Sequence, residues 1–193
     1  MKERRGSTIG GLVVWLSLVF VVSLVLPASA SDIPKAPLPA VITSLGQSPC
    51  GYTASVLAKR ANLTLDYNNL LPASEVSKYK TLIMAVGASL KGFGSAGANL
   101  DTELKRGKQI IETAKENNVF LVILHIGGEG RREQMSNKLL DAVAHQGDFL
   151  LVLEDGNKDG YFTEVSEKNN IPLTILENPL EIQDSLKELF SGE

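Results

Sequence analysis

Four times along this chain a short apolar run gives way to a loop dense in glycine and polar residues, and then to a stretch with helical spacing. The apolar runs are Val41–Leu45, Leu82–Val86, Val119–Ile126 and Asp148–Leu153. Continuous rather than alternating apolar character marks strands covered on both faces. Such strands alternating with helices build a parallel sheet with helices on either side. Right-handed crossovers then limit the topologies. The expected fold class is therefore α/β: a doubly wound parallel sheet of five or six strands, a flavodoxin-like or Rossmann-like three-layer sandwich. Strand order 2-1-3-4-5 is the first expectation. The chain is too short for an eight-fold barrel of ~250 residues.

Helical spacing is expected over 51–61, 100–117, 132–144, 161–169 and 180–190. Leu100, Leu104, Ile111 and Ala114 line one side of the longest. Gly107 on that side allows close approach to the sheet. A short strand at 63–67 and a last strand at 172–176 complete the set. Residues 39–193 are read as one α/β domain.

The N-terminus reads differently. Lys2, Arg4 and Arg5 precede a run from Ile9 to Leu26 without charge, closed by Pro27 and Ala28-Ser29-Ala30. Basic start, apolar centre and small-residue ending are the pattern of a secretory signal peptide over residues 1–30. Retention as a membrane anchor is the alternative; the run lies near the lower limit of ~17–25 residues for a span. The expected location is secreted, periplasmic or at the cell surface, with membrane contact only through this segment. Residues 31–38, with Pro34 and Pro37, read as an extended spacer.

Charge and cysteine content narrow the chemistry. A net charge of -3 argues against nucleic acid, whose phosphates require a surplus of Lys and Arg. One Cys excludes an internal disulfide and any multi-thiolate metal site. No resident cofactor is expected.

The candidate site follows from the fold. In a parallel sheet the four Gly/polar loops emerge on one rim, where ligands of such folds bind. They are Gly46–Gly51, Gly87–Gly97, Gly127–Arg132 and Glu154–Gly160. The candidate ligand-binding residues are Gln47, Ser48, Ser89, Lys91, Gly92, Gly94, His125, Gly128, Arg131, Asn157 and Asp159. Lys91, Arg131 and Arg132 beside helix starts suit a carboxylate or phosphate. Glu129 and Glu133 could pair with the same arginines, and of two adjacent arginines on a helix one is expected to face solvent.

Three motif matches need weighing. Gly92-x-Gly94-x-x-Gly97 spells a dinucleotide fingerprint, but it follows the third strand at a distance and lacks the acidic residue about 20 positions on. It reads as a flexible loop. Asp155-x-Asn157-x-Asp159-Gly160 spells the first half of a calcium loop, but Ser166 stands where the bidentate Glu belongs. The competing reading is a turn in which Asp159 or Thr163 caps the next helix. Cys50 stands at a helix start that would activate a thiol, yet no second Cys accompanies it.

The strings SLGQSP, VGASLKGFGSAG, HIGGEGRR and GNKDGYFT, in this order, resemble a family of secreted bacterial proteins known as domain of unknown function 6305. The resemblance runs from Pro39 to near the C-terminus and implies no activity. An acidic residue is usual in that family where this chain has Cys50, which weakens a thiol mechanism.

The leading expectation is an exported, non-catalytic domain that binds a small polar or anionic molecule at the rim. A hydrolase-type enzyme, with His125 as base to Ser48, Ser89 or Cys50, is the second; it requires the nucleophile within hydrogen-bond reach of the imidazole. An envelope protein-interaction module is the third, favoured by an exposed apolar patch around Phe93, Tyr161 and Phe162.

Overall fold

Six strands form one sheet: β1 (Ala40–Leu45), β2 (Asp66–Tyr67), β3 (Thr81–Val86), β4 (Phe120–His125), β5 (Phe149–Leu153) and β6 (Leu173–Leu176). The computed structural model describes residues 1 and 33–192, so the expected signal segment lies, Met1 apart, outside the described residues. Every strand pair is parallel, and the order is β2-β1-β3-β4-β5-β6. The expected order thus holds, with β6 added at the far edge. The order in which successive strands are added reverses between β1 and β3, and this switch point is where two neighbouring rim loops part.

Among the described residues seven α-helices accompany the strands: α1 (Cys50–Arg60), α2 (Ala73–Val76), α3 (Leu90–Ala96), α4 (Leu100–Glu116), α5 (Gln134–Val143), α6 (Tyr161–Asn169) and, after the last strand, α7 (Ile182–Leu189). The continuous apolar strands divide their side chains between two cores. On one face Val41, Leu45, Met84, Ile123 and Val152 pack with Ile110, Leu139 and Phe162 of α4, α5 and α6. On the other, Ile42, Ile83, Leu124 and Leu151 pack with Ala54 and Leu57 of α1 and Leu186 and Leu189 of α7. Each fully buried aliphatic side chain contributes ~1.5–3 kcal/mol by leaving water. Gly107 meets the sheet closely, as its position implied: a Cβ there would lie 3.0 Å from both Leu45 methyl groups.

Several expectations need correction. The glycine-rich stretch after β3 is not a flexible loop; most of it is α3. Ser89 caps that helix by accepting from the Gly92 N–H at 3.2 Å, and Gly97 closes it in the left-handed conformation at φ 61°. Burial of Phe93 holds the helix down against its weak intrinsic propensity. The strand expected at 63–67 shrinks to two residues, and the helix expected from 132 begins at Gln134. The described part of the spacer does not stand apart: Ala36 is buried, and its N–H donates to the Leu189 carbonyl at 2.8 Å. Phe93 and Phe162 are core residues, so they do not form the exposed apolar patch that would have favoured an interaction module.

Candidate functional site

Beneath the rim, between β1 and α4, lies a buried ion pair. Glu103 is 1% exposed. Its carboxylate accepts from the Gly46 N–H at 2.7 Å, Gln47 Nε2 at 3.0 Å and the Arg106 guanidinium at 2.7 and 2.8 Å. Arg106 also donates to the carbonyls of Leu71 and Ser44. Burial alone would raise the Glu103 pKa; the bonds from Arg106, Gly46 and Gln47, with the Arg106 charge, outweigh it and hold the carboxyl below its ordinary value. The pair thereby fixes the β1–α1 loop, which carries two positive φ values, 95° at Gly46 and 60° at Gln47. Positive φ is uncommon for a residue such as Gln47 and needs surrounding structure to hold it.

That loop is zipped to the β3–α3 loop. Ser48 N–H donates to the Gly87 carbonyl at 3.1 Å, and Ser89 N–H to the Gly46 carbonyl at 2.9 Å. α3 presses on it so closely that a Cβ on Gly92 would lie 2.0 Å from the Gln47 carbonyl oxygen.

A cleft of about 430 Å³ opens at this point. Ser44, Gln47, Ser48, Pro49, Tyr67 and Asn69 line it together with Ser89, Lys91, Gly92, Ser95 and Arg131. Two features set its chemistry. Ser44 and Ser48 are buried, at 1% and 3% exposure; the Ser48 hydroxyl lies against the Cys50 thiol, and that of Ser44 has no hydrogen-bond partner. Buried hydroxyls are normally satisfied, so an orphan in the cleft calls for an explanation. The lining also holds two cations, Lys91 and Arg131, and no carboxylate. α1 starts at the same place: Pro49, the residue before it, lines the cleft and supplies no side-chain cap to the first-turn N–H groups.

Arg131 arrives from the β4–α5 loop. Its stem runs over Gly127, where a Cβ would lie 2.2 Å from Arg131 Cγ, and its guanidinium donates to the Ala88 carbonyl at 3.0 Å. Cys50 lies just behind, also against Gly127, and is buried. Burial pushes its thiol pKa up, opposed by Ser48 and the Arg131 charge, so the net effect of its site is to suppress the thiolate.

The remaining rim residues form a separate cluster. Arg132 lies over the Tyr161 and Phe162 rings, 4.8 and 5.3 Å from their centroids, and grips Asp159 with two bonds of 3.0 and 2.8 Å. Lys158 bridges Glu129, at 2.9 Å, and Asp155. Asn157 accepts from the Phe162 N–H at 2.8 Å and Asp159 from the Tyr161 N–H at 3.2 Å, so both cap α6. Thr163 does not cap; its hydroxyl accepts from Asn157. The oxygens of the would-be calcium loop thus face Lys158, Arg132 and backbone N–H groups. Among the described residues no three His, Cys, Asp or Glu side chains converge as a metal cluster. Neither adjacent arginine is a free surface charge, because residues 131 and 132 precede α5 and turn in opposite directions.

The expected site is therefore divided. Gln47, Ser48, Ser89, Lys91, Gly92 and Arg131 line the cleft. Gly94 stands exposed on α3. Gly128 is a turn residue at φ 59° against Asp155. Asn157 and Asp159 belong to the α6 cluster. His125 is fully buried, with Nδ1 3.0 Å from the Val86 carbonyl and its ring stacked on Phe162 at 5.3 Å. Its hydrogen-bond partners include none of Ser48, Ser89 and Cys50, so no nucleophile–base pair is formed. The sequence reading missed Ser44, Tyr67, Asn69 and Ser95 at the cleft, and the Glu103–Arg106 pair behind it. One signal was available for the last: Glu103 falls on the same face as Leu100 and Gly107, where a charge must be paired.

Solved structures with a similar course of chain include a GDSL-like lipase from Bacteroides thetaiotaomicron, at 10% identity over 78% of this chain and 83% of that one, with a TM-score of 0.35. A Bacteroides fragilis protein described as an acylhydrolase follows at 8% identity, 75% and 71% coverage and 0.34. A GDP-L-fucose synthetase from Naegleria fowleri bound to NADP gives 12%, 75%, 51% and 0.33. Likenesses this distant carry no functional weight. Curated protein sequences yield no match. Residues 37–190, by contrast, match the model of one family, and with it the chain is identified as a member of the domain of unknown function DUF6305.

Proposed function

We propose that this protein is an exported binding domain for a small anion, held in the cleft between the ends of β1 and β3. The observation that carries the reading is the buried, unpartnered hydroxyl of Ser44, in one cleft with Ser48, Lys91, Arg131 and the uncapped start of α1. Hydroxyls, a guanidinium and helix N–H groups are all donors to an oxyanion. The absence of carboxylates from the lining sets the sign of the ligand. Export rests on the basic, apolar and small-residue pattern of residues 2–30.

The test is a melting series of the chain in phosphate, malonate and citrate against chloride at matched ionic strength. A ligand at about 100 times its Kd adds about 2.7 kcal/mol of stability. For a domain of this size that raises Tm by roughly 5–10 °C. Ser48→Ala and Arg131→Gln should each reduce the rise. No rise with any of the three anions overturns the reading.

A further inference from the structure

The cleft is larger than an inorganic anion requires, and its far lip is aromatic. Tyr67, at the end of β2, lines the same cleft as Lys91 and is 37% exposed. Tyr52, in the first turn of α1, is 61% exposed and meets Tyr67 edge-on, with ring centroids 6.1 Å apart and an angle of 61°. Exposed tyrosines cost little to order and offer a flat apolar face with a polar tip. Between this pair and the Ser44 hydroxyl stands Gly51. A Cβ there would lie 2.4 Å from Ser44 Oγ and 3.4 Å from the Tyr67 ring. The bare glycine therefore sets the Ser44 hydroxyl and the Tyr67 ring within a few ångströms of one another. Gln47 and Asn69, bonded to each other at 3.3 Å, form a polar edge beside the ring.

The charge on the donor side narrows the anion. Lys91, Arg131 and the positive end of α1, worth roughly half a charge, face it with no opposing carboxylate. That excess matches a phosphate monoester, with ≈ -1.5 to -2 charges at neutral pH, better than a single carboxylate.

We infer that the cleft takes a phosphate monoester whose alcohol carries a ring, planar or sugar, with the phosphate on Ser44, Ser48 and Arg131 and the ring against Tyr67 and Tyr52. The inference rests on the anion-binding proposal above and adds the second half of the ligand to it. No bond is made or broken; the site holds the ester.

Titration calorimetry on the full chain separates the two claims. The probes are inorganic phosphate, phenyl phosphate, ribose 5-phosphate and adenosine monophosphate. At least one ester should bind about tenfold more tightly than inorganic phosphate, the order of one ring–aromatic stack. Comparison of the three distinguishes a planar ring from a sugar. In Tyr52→Ala, an exposed position whose loss leaves the fold intact, the advantage should shrink with phosphate affinity unchanged, and in Tyr52→Ala/Tyr67→Ala it should shrink toward unity. Equal affinity of the parent chain for phosphate and all three esters overturns the ring subsite and leaves the anion site standing. An ester advantage that survives both tyrosine substitutions overturns it also. Failure of phosphate and of every ester to bind removes both claims.

Discussion

Replacing Glu103 by Gln tests whether the rim is held from below. The glutamine keeps one acceptor, enough for the Gly46 N–H, but turns an amide donor toward the donors of Arg106. Arg106 is then left with the Ser44 and Leu71 carbonyls and no counter-charge, at 15% side-chain exposure. Breaking a buried pair in this way costs about 3–5 kcal/mol. That is a large part of a total stability of roughly 5–15 kcal/mol. At roughly 2–4 °C per kcal/mol for this size, Tm should fall by about 6–20 °C. Removing both charges, in Glu103→Gln/Arg106→Met, should recover part of the loss, and the difference from additivity measures the coupling. Acid supplies a second check. The folded Glu103 pKa lies below its unfolded value, so its contribution is complete above about 4.5 and disappears as pH falls through the folded value. The parent chain should lose stability in that acid window, and Glu103→Gln should lose less. The assay is urea unfolding at neutral pH and at about pH 3, with Tm as a companion. A Glu103→Gln chain melting within about 2 °C of the parent would refute the reasoning.

Two glycines of α3 should respond oppositely. Gly92→Ala sets a methyl 2.0 Å from backbone oxygen and must displace the Gln47 loop, at a cost of about 1–3 kcal/mol and with weakened anion binding; Gly94→Ala meets open space and should stabilise by about 0.5–1 kcal/mol. Equal effects in thermal melts would remove the close-approach argument. His125 is held below its ordinary pKa chiefly by burial, with the Arg132 charge adding to it and the Val86 and Gly128 carbonyls and Asp159 opposing. A base whose folded pKa is depressed binds its proton more readily unfolded, so stability should decline as pH falls below about 6.5. That decline, followed by urea unfolding between pH 7.5 and 5, should flatten in His125→Gln; an unchanged slope would assign it to other groups.

Much of this molecule was legible from spacing. Continuous apolar runs fixed strands covered on both faces, and the helical stripe through Leu100, Leu104, Ile111 and Ala114 located α4 to within one residue. The rim followed from parallel topology, and six of its expected residues do meet at one cleft. Local pattern was less informative where tertiary contact overrides propensity. Glycines at 92, 94 and 97 look like a loop, yet a capping serine, a left-handed glycine end and a buried Phe93 make seven residues of helix.

What the sequence by itself determined is the layered architecture, because hydrophobic period and turn chemistry are local and survive in one dimension. What only the tertiary structure decided is how polar groups were partnered. Arg131 turns to the cleft while Arg132 turns to Asp159, and Asn157 caps a helix when it could have met a ligand. Glu103, an ordinary helix charge by composition, ends under the loop that shapes the site. The bonds from Arg132 to the Gly156 carbonyl and from Arg106 to the Ser44 carbonyl join residues 24 and 62 positions apart, and such partners are chosen by distance in space, which no periodicity along the chain records.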